Sequence, residues 1–86
     1  MKIRVIISGR QYDFAQAIPD QLTLPAGCKI DAALEVLDGL LPPGSQIPDS
    51  CLIAVSGTHL GSRGRHEDRV LCEGDELLVL APIAGG

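Results

Sequence analysis

Aliphatic and polar residues alternate over positions 2–8, with Ile3, Val5 and Ile7 on one face and Lys2, Arg4, Ile6 and Ser8 on the other. A period of two is the pattern of a strand with one buried face, so a β-strand is predicted here. Ser8 and Gly9 break the pattern, and a polar stretch follows. Residues 21–25 read as a short strand closed by a turn at Pro25, Ala26 and Gly27. The period then lengthens: Ile30, Ala33, Leu34, Leu37 and Leu41 recur at helical spacing, which predicts an amphipathic helix over about residues 30–41. Lys29 stands where a Ser or Thr cap is preferred, while Asp31 and Glu35 suit the helix's positive end. Gly39, or the Leu41-Pro42-Pro43-Gly44 stretch, is expected to end it.

A loop rich in Pro, Gly and Ser leads to a third predicted strand over residues 51–56, followed by a turn over 56–59. Residues 61–69 contain two glycines and seven polar or charged residues, so an exposed loop is expected there. Glu73, Gly74 and Asp75 form a turn that launches a last strand, residues 76–81. No internal repeat and no second domain is visible. Two strands, a crossover helix and further strands predict an α+β fold, a mixed sheet with one main helix packed on one face. If the first and last strands lie side by side, Leu77 and Val79 face the helix. Leu78 and Leu80 then point away beside Ile6, with Leu60 as a possible neighbour. An uncovered apolar patch of this kind marks a protein interface, although singly scattered surface leucines are ordinary.

The composition narrows the function classes. Hydrophobic residues make up 45% of the 86-residue chain, yet the aromatics are Tyr12 and Phe14 alone, so the core must be aliphatic and stacking on nucleobases is not on offer. A net charge of −4 disfavours phosphate-driven nucleic-acid binding. No apolar run approaches a membrane span, and the opening segment is too short for a signal peptide, so a soluble, cytoplasmic protein with neither nucleic acid nor membrane as partner is expected. Cys28, Cys51 and Cys72 have neither disulfide nor zinc spacing, and are expected to pack as small hydrophobes. His59 and His66 fall in predicted loops without metal-ligand spacing and read as solvated; no metal site is predicted. Arg63, Arg65 and Arg69 belong to a solvated loop or to a partner contact. Asp31, Glu35 and Asp38 line one helix face and need no catalytic explanation.

The sequence closes on Ala81-Pro82-Ile83-Ala84-Gly85-Gly86. Pro82 removes a ladder donor where the chain must leave the sheet. Glycine lacks a Cβ, so Gly85 and Gly86 make a narrow, flexible end that can thread where no other dipeptide fits. A folded unit over 1–81 and a presented tail over 82–86 are expected.

These elements, together with the turn at Glu73, Gly74 and Asp75 and the ending Leu80–Gly86, resemble the MoaD/ThiS family of ubiquitin-like β-grasp sulfur carriers. The resemblance covers nearly the whole chain in element order and is closest over residues 73–86. The tail is most similar to that of the molybdopterin-synthase small subunit. Ala81 replaces the first of two usual prolines, Ser56-Gly57 stands where many members have Asn-Gly, and the 61–69 loop is longer and more basic.

The resemblance implies that an E1-like adenylyltransferase uses ATP to adenylate Gly86, with no cofactor bound by this chain. A sulfur donor system then displaces AMP to give a thiocarboxylate, while Gly85 gives the tail access to narrow active sites. Ile6, Leu60, Leu78, Leu80, Pro82 and Ile83 would contact partners. Sulfur donation to the molybdopterin-synthase large subunit is the reading closest to the tail. Donation for thiamine thiazole or another thio-metabolite, a ubiquitin-like modifier, and a small interaction domain with an inert tail are the alternatives.

Overall fold

A computed structural model describes residues 1–8, 18–44 and 46–80. The elements are β1 (Lys2–Ser8), β2 (Gln21–Thr23), helix α1 (Ile30–Leu40), β3 (Leu52–Val55), β4 (Thr58–Ser62), β5 (Arg65–His66) and β6 (Glu76–Leu80). The six strands form one sheet in the order β2-β1-β6-β3-β4-β5. β1 and β6 run parallel at its centre, and the other neighbours are antiparallel. This is the mixed-sheet α+β arrangement of a β-grasp fold. The expected 82–86 tail and the polar stretch after Ser8 fall outside the described residues. No helix among those described is long and apolar enough to cross a membrane.

The two sequence periods meet in the core. Ile30, Ala33, Leu34 and Leu37 bury the inner face of α1 against Ile3, Val5, Ile53, Val55, Leu77 and Val79 on one face of the sheet. Every one of these side chains is aliphatic, as the scarcity of aromatics required. α1 has no side-chain cap at Lys29. One N–H of its first turn is satisfied from outside instead: that of Ile30 donates to the Arg69 carbonyl at 3.1 Å, beside a bridge between Lys29 and Val70. The helix runs past Gly39 and ends at Leu41, where the following prolines forbid continuation.

The segment expected to be an exposed loop is a hairpin. β4 pairs with β3 and β5 with β4, so the turn after β3 shrinks to Ser56 and Gly57, both at positive φ (48° and 87°). That is the twist a two-residue hairpin connection demands. Ile53 pairs with Gly61 and Ala54 with His59, leaving Leu60 as a bulge without a partner. Gly61 has φ 130°, and a Cβ there would meet the Arg65 carbonyl oxygen at 2.5 Å, so the close approach of β5 needs glycine.

Candidate functional site

The last strand emerges at the centre of the sheet, flanked by the end of β1 and the start of β3. The register pairs Ile6 with Leu78 and Ser8 with Leu80 on one side, and Ala54 with Leu78 and Leu52 with Leu80 on the other. Since Leu77 and Val79 are buried under α1, these residues lie on the opposite face. Ile6, Leu52 and Leu80 are each more than a third exposed (37%, 37% and 38%), while Leu78 and Ala54 between them are half-buried. Together they form a continuous aliphatic strip across three strands, reaching Leu80, the last residue of β6. At the other end the strip gives way to charge, with Arg4 and Glu76 3.6 Å apart. His59, opposite Ala54, stands exposed on its flank.

Ile6, Leu78 and Leu80 therefore lie together where the alternation placed them. Leu60 does not join them: the bulge turns it to the helix side, where it packs against the core. Leu52 and Ala54 take its place. They were missed because residues 51–55 are apolar without interruption, so no alternation distinguishes their faces. Pro82, Ile83, Gly85 and Gly86 lie outside the described residues.

Several of the polar candidates, Asp31, Asp38, Arg63 and His66, are occupied by the fold. Arg63 reaches back to the end of α1, where both guanidinium Nη atoms donate to the Asp38 carboxylate, one at 2.7 Å to Oδ1 and the other to Oδ2. Arg63 Nη1 also donates to the Ile47 carbonyl at 2.7 Å, and the Ile47 N–H donates to Asp38 at 2.8 Å. Burial works against the Asp38 charge, but the hydrogen bonds from Arg63 and Ile47 and the Arg63 charge hold its carboxyl below the ordinary value. The same pairing raises Arg63. Arg63 is thus a clamp joining helix, loop and hairpin, with its side chain only 14% exposed. The expectation of a solvated or partner-docking residue is corrected at that position.

His66 is likewise no solvated loop residue. Its side chain is 3% exposed, and both ring nitrogens are engaged, with Glu67 and Asp31. Neither is left for a metal or a substrate proton. Cys51 is buried, and burial pushes its thiol up despite the nearby Arg63 charge, which makes it a poor nucleophile. Cys28 packs partly against the core, but Cys72 is exposed and does not serve as a core hydrophobe.

In the described residues, then, Arg63, Asp38, His66 and Asp31 are engaged with one another and Cys51 is buried, while an aliphatic strip is left open beside the strand that leads into the Gly-Gly tail. That arrangement suits a domain that docks and presents a terminus. No curated protein and no solved structure matches the chain significantly. The ThiS family model matches residues 5–86, from within β1 to the final glycine. Members of that family are carriers that work with an E1-like activating enzyme and a sulfur-accepting partner. The chain belongs to the ThiS family and is a ubiquitin-like sulfur carrier of the β-grasp fold.

Proposed function

We propose that this carrier donates sulfur in molybdenum cofactor biosynthesis, as the small subunit of molybdopterin synthase. The observation that carries the reading is the ending Ala81-Pro82-Ile83-Ala84-Gly85-Gly86 behind β6, within the span of the family match. A carboxylate is a poor electrophile, because its charge repels nucleophiles and oxide is a poor leaving group. Adenylation of Gly86 by the ATP-using partner replaces oxide with AMP as the leaving group. A sulfur nucleophile attacks the carbonyl, AMP departs, and the thiocarboxylate remains. Its anionic sulfur is the nucleophile delivered to the accepting enzyme. Glycines at 85 and 86 place no side chain in the path of either attack.

The strip of Ile6, Leu52, Ala54, Leu78 and Leu80 is the docking face in this reading. Ordering the tail costs about 1–2 kcal/mol per residue, and burial of the strip against a partner offsets that cost. Docking also converts sulfur transfer into a tethered reaction at high effective concentration.

The test uses the thiocarboxylated protein with two acceptor systems. With the molybdopterin-synthase large subunit it is expected to convert the cyclic pyranopterin precursor to the dithiolene pterin, and with a thiazole-forming system to react poorly. Efficient thiazole formation without pyranopterin turnover would reassign the pathway. Deletion of Gly86 is expected to abolish thiocarboxylate formation, read by intact mass, without altering thermal stability. A deletion variant that still loads sulfur would refute the terminal route.

A further inference from the structure

The ring of His66 is enclosed between two oxygen atoms that can only accept. Nδ1 lies 2.9 Å from the Glu67 carbonyl oxygen, and Nε2 lies 2.7 Å from Oδ1 of Asp31 in the first turn of α1. A neutral imidazole carries one N–H, so one of these contacts would set lone pair against lone pair. The imidazolium donates to both. We propose that His66 is carried as an imidazolium latch tying β5 to the start of α1, and that loss of its proton as pH rises opens residues 64–69 while the rest of the sheet stays closed.

The charges around the ring come from three places. α1 contributes Asp31 and the positive end of its dipole, which opposes a cation there. The segment after β5 contributes Asp68, itself 3.9 Å from Lys29. The β4–β5 turn contributes Arg63, which is committed to Asp38 and also acts on Asp31. Burial works against the charged ring, but the Glu67 carbonyl, the Asp31 hydrogen bond and the attraction of Asp31 and Asp68 raise His66 above the ordinary histidine value. A raised folded value means that the latch contributes fully below the ordinary value of 6.5 and is lost as pH rises through the higher folded one.

Opening is local because the segment is fixed at both ends by contacts that do not titrate near neutrality. Arg63 and Asp38 hold one end, and the Lys29–Val70 bridge with the Ile30–Arg69 hydrogen bond holds the other. Between them the segment is held by the pairs Gly61–His66 and Ser62–Arg65 at the edge of the sheet, by the Gly64 N–H donating to the Asp49 carbonyl at 3.0 Å and by a long hydrogen bond from the Glu67 N–H to the Leu60 carbonyl at 3.3 Å. A two-residue edge strand with so few backbone hydrogen bonds belongs to the least stable part of a fold, and the His66 ring is the side chain that ties it to α1.

The test is NMR on the intact, uniformly ¹⁵N-labelled protein. Ring nitrogen shifts of His66 are expected to show both sites protonated at pH 6.5, with a titration midpoint above the ordinary histidine value. Amide protection of residues 64–69, corrected for intrinsic exchange, is expected to fall about three- to tenfold across that midpoint, the size of one hydrogen bond to a charged group that is partly open to water. Protection in β1 and β6 should not change. Asp31→Asn, at an exposed carboxylate, should fold, move the midpoint down and shift the opening with it. His66→Gln should remove the pH step. A neutral His66 tautomer at pH 6.5, or protection in 64–69 that ignores His66 deprotonation, would overturn the latch.

Discussion

The two sides of this small sheet leave different kinds of side chain free. On the open face, Ile6, Leu52 and Leu80 are each more than a third exposed. On the helix side, Arg63 and His66 are enclosed with their charge partners, Asp38 and Asp31. An enclosed arginine with every polar neighbour inside the same chain has been used by the fold. An aliphatic row left exposed by the described residues has not. The residues with the most evident chemistry are thus the structural ones, and the chemically plain ones are available for recognition. The difference separates two kinds of mutation, those that lower stability and those that lower docking.

The largest effect is expected on the enclosed side. Arg63→Ala removes the clamp and leaves Asp38 without its cation and the Ile47 carbonyl without its donor. Breaking a buried pair costs about 3–5 kcal/mol, and the partial exposure of Asp38 reduces this to about 2–3 kcal/mol. Thermal unfolding should fall by at least about 10 °C. Sulfur loading of the folded variant at low temperature should be retained. Loss of loading in a folded Arg63→Ala protein would break the comparison, because it would make the clamp part of a docking surface.

Leu80→Glu is the counterpart on the open face. A charge on the proposed docking face should weaken binding of the activating enzyme or the acceptor by about 30-fold, the size of an interface hot spot. Thermal stability should move little, because Leu80 already faces water. Ala54→Asp should reproduce the effect and Leu60→Glu should not, since Leu60 packs against the core and the variant should instead destabilise. Unfolding by Leu80→Glu would show that the strip is internal packing.

A smaller effect separates the two sides by pH. The Asp38 carboxyl is held below its ordinary value of 3.8 by Arg63 and Ile47 in spite of burial. Its contribution is therefore present above 3.8 and lost as pH falls through the lower folded value. Chemical denaturation between pH 5 and pH 2 should show a declining acid limb that is reduced in Asp38→Asn. An identical acid limb in that variant would show that Asp38 contributes no such linkage.

What was legible in the sequence follows the range of the interactions. Ile30, Ala33, Leu34 and Leu37 declare the helix face by local spacing, and the side-by-side placement of β1 and β6 gave Leu77 and Leu78 their opposite faces. β4 was illegible because Thr58–Ser62 contains a glycine and a bulge, and owes its strand character to pairing with β3. Arg63 and His66 read as solvated because their partners lie 25 and 35 residues away. Leu52 and Ala54 were hidden by an unbroken apolar run, whose faces only the register with β6 distinguishes. Local periodicity carried the framework, and non-local pairing decided which polar residues were free.

The smallest effect is expected at Ser56, on the turn between the two regions. Ser56 is held at φ 48°, a conformation that costs a residue with a Cβ about 1 kcal/mol. Its hydroxyl donates to Asp75 Oδ1 at 2.8 Å and accepts from the Glu76 N–H at 3.2 Å, while Asp75 Oδ2 accepts from the Cys72 N–H. The turn after β3 is in this way tied to the start of β6, which explains how serine holds a place suited to asparagine or glycine. Ser56→Ala keeps the strain and loses both hydrogen bonds, so it should cost about 1 kcal/mol, limited by the exposure of the site. Ser56→Gly loses the same bonds but relieves the strain, and should be close to neutral. Ser56→Asn should fall between them, because asparagine tolerates this conformation and retains a side-chain acceptor. Urea denaturation of the three variants measures the order. Equal losses in alanine and glycine would show that the hydroxyl, not the backbone, sets the stability of the turn. A loss of partner affinity in Ser56→Ala beyond its loss of stability would show that the turn belongs to the docking face and that the division between the two faces is drawn one hairpin too far from β4.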